Sequence, residues 1–121
     1  MEKYTREELV EALQVVSSTI SKCEKAQLKF VHSTPQHTLL RNRIEALYIS
    51  KLLITDQNVM DKYTKEELIE ALRPLSSIIS KCEKAQQKFA EGTSHHTRLK
   101  KMIKAICISK SLITGEINKR G

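Results

Sequence analysis

Three cysteines (Cys23, Cys82, Cys107) and four histidines (His32, His37, His95, His96) are the side chains from which this chain would build a metal or redox centre. Such a centre needs ligands at spacings that converge: Cys-x-x-Cys, His at i and i+4 on one helix face, or Glu-x-x-His. None of these spacings occurs. Adjacent His95 and His96 would point about 100° apart on a helix. No metal site and no cofactor are therefore expected. Cys23 and Cys82 stand in identical local sequences. Their ordinary reading is a small buried core residue; the sharper reading is a redox pair across the molecule. Cys107 has no partner at a useful spacing.

Catalysis finds little support. Three glycines are too few for a loop that cradles phosphate, and no Ser, His and acid arrangement stands out. Glu7, Glu8 and Glu11 are accounted for by a helix start. The chain is expected not to be an enzyme.

The cations are more informative. The net charge is +7, and it is unevenly spread. Residues 1–59 carry eight Lys/Arg and seven Asp/Glu, whereas residues 60–121 carry thirteen and seven. On the first expected helix, Lys22, Lys25 and Lys29 crowd the C-terminal end, where the helix dipole favours them. On the second, Arg41 and Arg43 lie in the first half, and in the fourth so do Arg98, Lys100, Lys101 and Lys104. Cations near a helix N-terminus cost roughly 0.3–1 kcal/mol each. A local rule broken without structural gain marks a candidate functional site.

The elements that position these residues come in two copies. Ile20-Ser21-Lys22-Cys23-Glu24-Lys25-Ala26-Gln27 recurs letter for letter from Ile79 to Gln86, and aligning each residue with the one 59 later gives 34 identities in 59 pairs. Met60 heads the second copy as Met1 heads the first, so the chain reads as a duplicated and fused unit. Residues 1–59 and 60–121 are the two repeats, together expected to make one domain. Scarce Gly, Pro and aromatic residues exclude a strand-rich fold. The N-terminus opens on charge rather than an apolar core, so no export signal is expected. No apolar run approaches the ~18 residues of a membrane span. An odd number of cysteines then points to free thiols in the cytoplasm.

Each repeat begins with a capping box, Thr5 with Glu8 and Thr64 with Glu67, and a hydrophobic staple, Tyr4 with Leu9 and Tyr63 with Leu68. The first helix is expected to run to about Phe30 on a seam of Leu9, Leu13, Val16, Ile20, Cys23, Gln27 and Phe30, a period of 3.5. Its copy runs from Leu68 to Phe89, with Pro74 expected to kink or open it. Gln27 and Gln86 are expected to bond each other across the bundle. A short break follows in each repeat, with Gly92 at a helix C′ position, Thr34 and Thr93 as N-caps and Pro35 at N1. The next helix covers roughly residues 35–54, on Leu40, Ile44, Leu47 and Ile54. Thr55 to Tyr63 reads as a polar linker, and Gly115 to Gly121 as a frayed tail.

One hairpin of this size has an apolar face and nothing to bury it on. Two bury each other, which predicts an all-α fold: two tandem antiparallel helical hairpins packed as a pseudo-twofold four-helix bundle. An open solenoid-like pair, or further dimerisation through leftover apolar surface, is the alternative. In an up-down-up-down bundle both hairpin tips share one end. Lys81, Lys84, Lys88, His95, His96, Arg98, Lys100 and Lys101 would gather there as a basic pole. Glu2, Glu7, Glu8, Glu11, Asp61, Glu66, Glu67 and Glu70 would form an acidic one.

The functional expectation is a small non-catalytic helical protein that binds or regulates another protein. The alternative is weakly sequence-specific binding of nucleic acid, with the basic pole gripping backbone phosphates. Attraction between opposite poles would drive self-association.

Overall fold

The computed structural model describes residues 3–59 and 61–121. Met1, Glu2 and Met60, on which the repeated-start reading and part of the acidic pole rest, lie outside that range. Four helices account for the described secondary structure: α1 (Arg6–Gln27), α2 (Pro35–Ile54), α3 (Lys65–Gln86) and α4 (Ser94–Lys119).

The expected starts are in place. Thr5 Oγ1 accepts the Glu8 N–H at 3.1 Å, and Glu8 returns the bond to the Thr5 N–H at 2.9 Å. Thr64 and Glu67 repeat this at 3.0 and 2.8 Å. Thr34 and Thr93 cap α2 and α4, and Pro35 opens α2. Each such cap is worth about 1 kcal/mol.

The helices form a four-helix bundle. Each packs against its neighbour in sequence, and α4 closes the ring on α1. Their directions follow from side-chain contacts. Tyr48 on α2 reaches Glu24 on α1, and Gln27 reaches the His37 carbonyl. Near its start α1 meets the middle of α4, through Lys104–Glu8 and Lys3–Ser111. The α4 C-terminus bonds the segment leading into α3 through Arg120. The α1–α2 and α3–α4 connections, the tips named above, therefore lie at the same end.

Leu47, Leu68, Leu75, Val16, Ile106 and Ile113 are fully buried at the centre. Across the diagonal α2 and α4 come close, whereas no Cα of α1 lies within 8 Å of one on α3. Both α2 and α4 carry small buried residues at i and i+4, Ala46 with Ser50 and Ala105 with Ser109, which permits that approach. The two serines return their hydroxyls to their own helix, at 2.8 and 3.0 Å to the Ala46 and Ala105 carbonyls.

Several expectations need correction. α1 ends at Gln27, and Lys29 and Phe30 bond back to the Ala26 and Gln27 carbonyls in a tightened turn. The seam thus stops before the aromatic ring, leaving Phe30 39% and Phe89 38% exposed. Gln27 and Gln86, on diagonally opposed helices, do not bond each other. Each donates within its own hairpin, to the carbonyl of His37 at 3.4 Å and of His96 at 3.3 Å. Gly92 is not at C′, because α3 is capped by Gln87; its φ of +90° serves the tip turn, where the first repeat has Ser33 at +74°. α3 stays helical through Pro74, so the helix does not open there.

The expected tail is helix. α2 stops after Ile54 because Asp56 takes φ +59°, with the Gln57 N–H bonding the Leu52 carbonyl at 2.8 Å and the Asp56 N–H bonding that of Leu53 at 3.1 Å. This pair of bonds is a Schellman stop. At the matching place in α4, Gly115 stays helical. Beyond it Ile117 packs on the core, and Arg120 donates to the carbonyls of Val59, at 3.0 Å, and Tyr63. Val59, in the linker read as polar, is buried.

Candidate functional site

The tip end is built from the last turns of α1 and α3, the two seven-residue connections, and the first turns of α2 and α4. Neither α2 nor α4 has an acid in its first turn. The peptide N–H groups there carry partial positive charge, and the cations that follow add to it.

Of the expected cations, Lys81, Lys84, Lys88, Arg98, Lys100, Lys101 and Arg41 are exposed. Among the described residues none of these seven is in an ion pair. His95 is exposed and stacks on Phe89, with centroids 4.8 Å apart and planes 12° from parallel. His96 is half-buried, held by the Thr93 cap and by Gln86 on its carbonyl.

Two expected members are used elsewhere. Lys104 extends to Glu8 at 3.3 Å, tying α4 to α1 well away from the tip. The capping bond from the Thr5 N–H, and after it this contact with Lys104, hold the Glu8 carboxyl below its ordinary pKa. Arg43 is half-buried. Its Nη2 approaches Ser77 Oγ on α3 at 3.5 Å, and its buried Nε has no partner. Its charge bears on the thiols of both Cys23 and Cys82.

Burial pushes both thiols above their usual pKa, against the opposing pull of Arg43. All three cysteines are free. A disulfide needs Cα atoms about 4.4–6.8 Å apart. Cys23 on α1 and Cys82 on α3 are more than 8 Å apart, so this fold does not bridge them. Of the histidines, His37 is buried and lies 4.4 Å from His32 between ring centroids. Burial lowers its pKa, and the nearby His32 and Arg41 add to the effect. Among the described residues no three His, Cys, Asp or Glu side chains converge as a metal would require, and no helix is long and apolar enough to cross a membrane.

Two features escaped the sequence reading. The α1–α2 tip also exposes large apolar side chains, Leu28 at 87% and Val31 at 75%. Both lie outside the helical seam, where periodicity carries no information. The second feature is a groove of about 590 Å³ between α2 and α3, beside Pro74. Its signal was present in the alignment of the two repeats, where Glu45 stands opposite Lys104 and Pro74 opposite Val15.

No protein-family model matches this chain, and no curated protein or solved structure matches it either.

Proposed function

We propose that this chain is a non-catalytic helical binding protein that uses the tip end to hold an anionic protein partner. The observation that carries the reading is the mixture of surfaces there. Leu28 and Val31 stand almost free of the fold, at the same end as exposed lysines and arginines that form no ion pair among the described residues. Exposed apolar groups rimmed by charge are the usual anatomy of a protein contact. The three free thiols fit a reducing compartment such as the cytoplasm. The bundle itself is read as a fused pseudo-twofold dimer of one hairpin.

A second reading keeps the same end but exchanges the partner for nucleic acid. The Phe89–His95 stack favours it, because flat rings beside cations suit unstacked bases. One experiment separates the two. Fluorescence anisotropy is measured with a labelled peptide of Leu and Glu, with duplex DNA and with single-stranded RNA, each at low and near-physiological salt. The first reading predicts saturable peptide binding, weakened by Leu28→Ser with Val31→Ser. The second predicts DNA or RNA binding that falls steeply with salt, the slope flattened by Lys100→Gln with Lys101→Gln. Absence of binding to all three probes at low salt would overturn both.

A further inference from the structure

The α2–α3 groove differs in charge from its counterpart between α4 and α1. In that counterpart Lys104 meets Glu8 at 3.3 Å. In the repeat alignment Lys104 corresponds to Glu45, and Glu8 to Glu67. Both Glu45 and Glu67 line the groove, so an attractive pair in one interface is replaced by two carboxylates in the other. Their shared influence on the Tyr63 phenol, whose pKa rises first through burial and then through these two charges, places them in one neighbourhood. Glu66 and Glu70 extend the acidic rim; among the described residues Arg73 lines it as a cation, and Arg43 reaches the lining Ser77 at 3.5 Å.

The groove is apolar inside this rim. Ala46, Ile49 and Ala71 are buried beneath it, and Leu39 stands 42% exposed at its edge. Pro74 takes the place of Val15, and its ring nitrogen has no hydrogen to give the Glu70 carbonyl. The stretch from Leu39 to Ile49 is about 15 Å of helix, or three turns.

We propose that this groove binds a cationic amphipathic helical segment of another protein, with apolar side chains against Leu39 and Pro74 and Lys or Arg facing the glutamates. The molecule supplies its own template for such a contact in the lysine that Glu8 receives from α4. A second copy of this chain is a poorer occupant. A twofold contact through the groove would set one acidic rim against another. A head-to-tail contact with a basic tip would be heterologous and would build rings or open filaments rather than a twofold dimer. This site is separate from the tip end and takes the opposite charge.

The test uses the full chain and a labelled synthetic helix of Leu and Lys, about three turns long, at near-physiological salt. A Leu and Gln peptide of the same pattern is the neutral control. The Leu and Lys peptide should bind saturably and the control at least tenfold more weakly. Glu45→Lys sets an ammonium group against Glu67. It should keep the helical circular dichroism and weaken binding at least tenfold. Glu66→Gln with Glu70→Gln should weaken it severalfold. Glu83→Lys, an equal charge change on the exposed side of α3, should leave affinity within twofold. Lack of saturable binding, equal loss with Glu83→Lys, or unchanged binding by Glu45→Lys would overturn the proposal. Concentration-dependent association of the full chain in sedimentation that Glu45→Lys abolishes would assign the groove to self-association and overturn it too. A tip variant such as Leu28→Ser tests the other site, so the two readings fail separately.

Discussion

Arg43 and Lys104 show what residue type and spacing leave open. Both belong to the cation set that disobeys the helix dipole, yet one turns toward Ser77 and the other reaches Glu8. Helical spacing places a side chain on a stripe, but which partner a long flexible chain finds depends on the neighbouring helix. His37 makes the same point for titration. Its seam neighbours gave no hint that burial beside His32 and Arg41 would lower its pKa. A histidine held neutral by the fold lets the unfolded chain bind the extra proton. His37 therefore costs nothing above the ordinary histidine value of ~6.5 and removes stability as pH falls below it. Following the imidazole by NMR through a pH titration should give a midpoint below that value; a midpoint at or above it would contradict the burial argument. The thiols are expected to follow their surroundings as well. With burial raising the pKa of Cys23 and Cys82, Cys107 should react first with iodoacetamide in the folded chain at neutral pH, and mass spectrometry of the labelled peptides would show the order. Labelling of Cys23 before Cys107 would be the contrary result.

Elements were more legible than side chains. Caps and starts follow local rules of three or four residues, so Thr5, Thr34, Thr64 and Thr93 were all readable. Helix ends were less so: α2 stops at Ile54 as expected, whereas α1 stops short of Phe30 and α4 runs on to Lys119. Gly115 resembles a stop, but Arg120 and Ile117 find partners distant in sequence that carry the helix past it. This difference predicts two substitutions of opposite kind. Gly115 is helical, and an added Cβ there meets nothing within 4 Å. Gly115→Ala should therefore stabilise by about 0.5–1 kcal/mol. Ser33 holds a φ of +74° that Gly92 supplies more readily in the second repeat. Ser33→Gly should likewise stabilise, by up to about 1 kcal/mol. Urea unfolding of each variant checks both values, and a loss of stability in either would show that the local conformation has been misread.

At the scale of the whole molecule, the four-helix bundle followed from amphipathic helices with one place to hide their apolar faces. The groove did not, because it is a difference between two similar interfaces and needs both in view. If the repeats began as partners, residues 1–59 expressed alone should associate as a dimer in sedimentation and lose helix on dilution. A stable folded monomer would defeat that origin. The functional claim rests on the shared tip end. Its most direct test is ¹⁵N–¹H NMR of the full chain titrated with the Leu and Glu peptide. The account predicts shifts confined to residues 28–33, 88–93 and 98–101, with residues 66–70 unmoved. Shifts centred on residues 66–70, or none at saturating peptide, would contradict it.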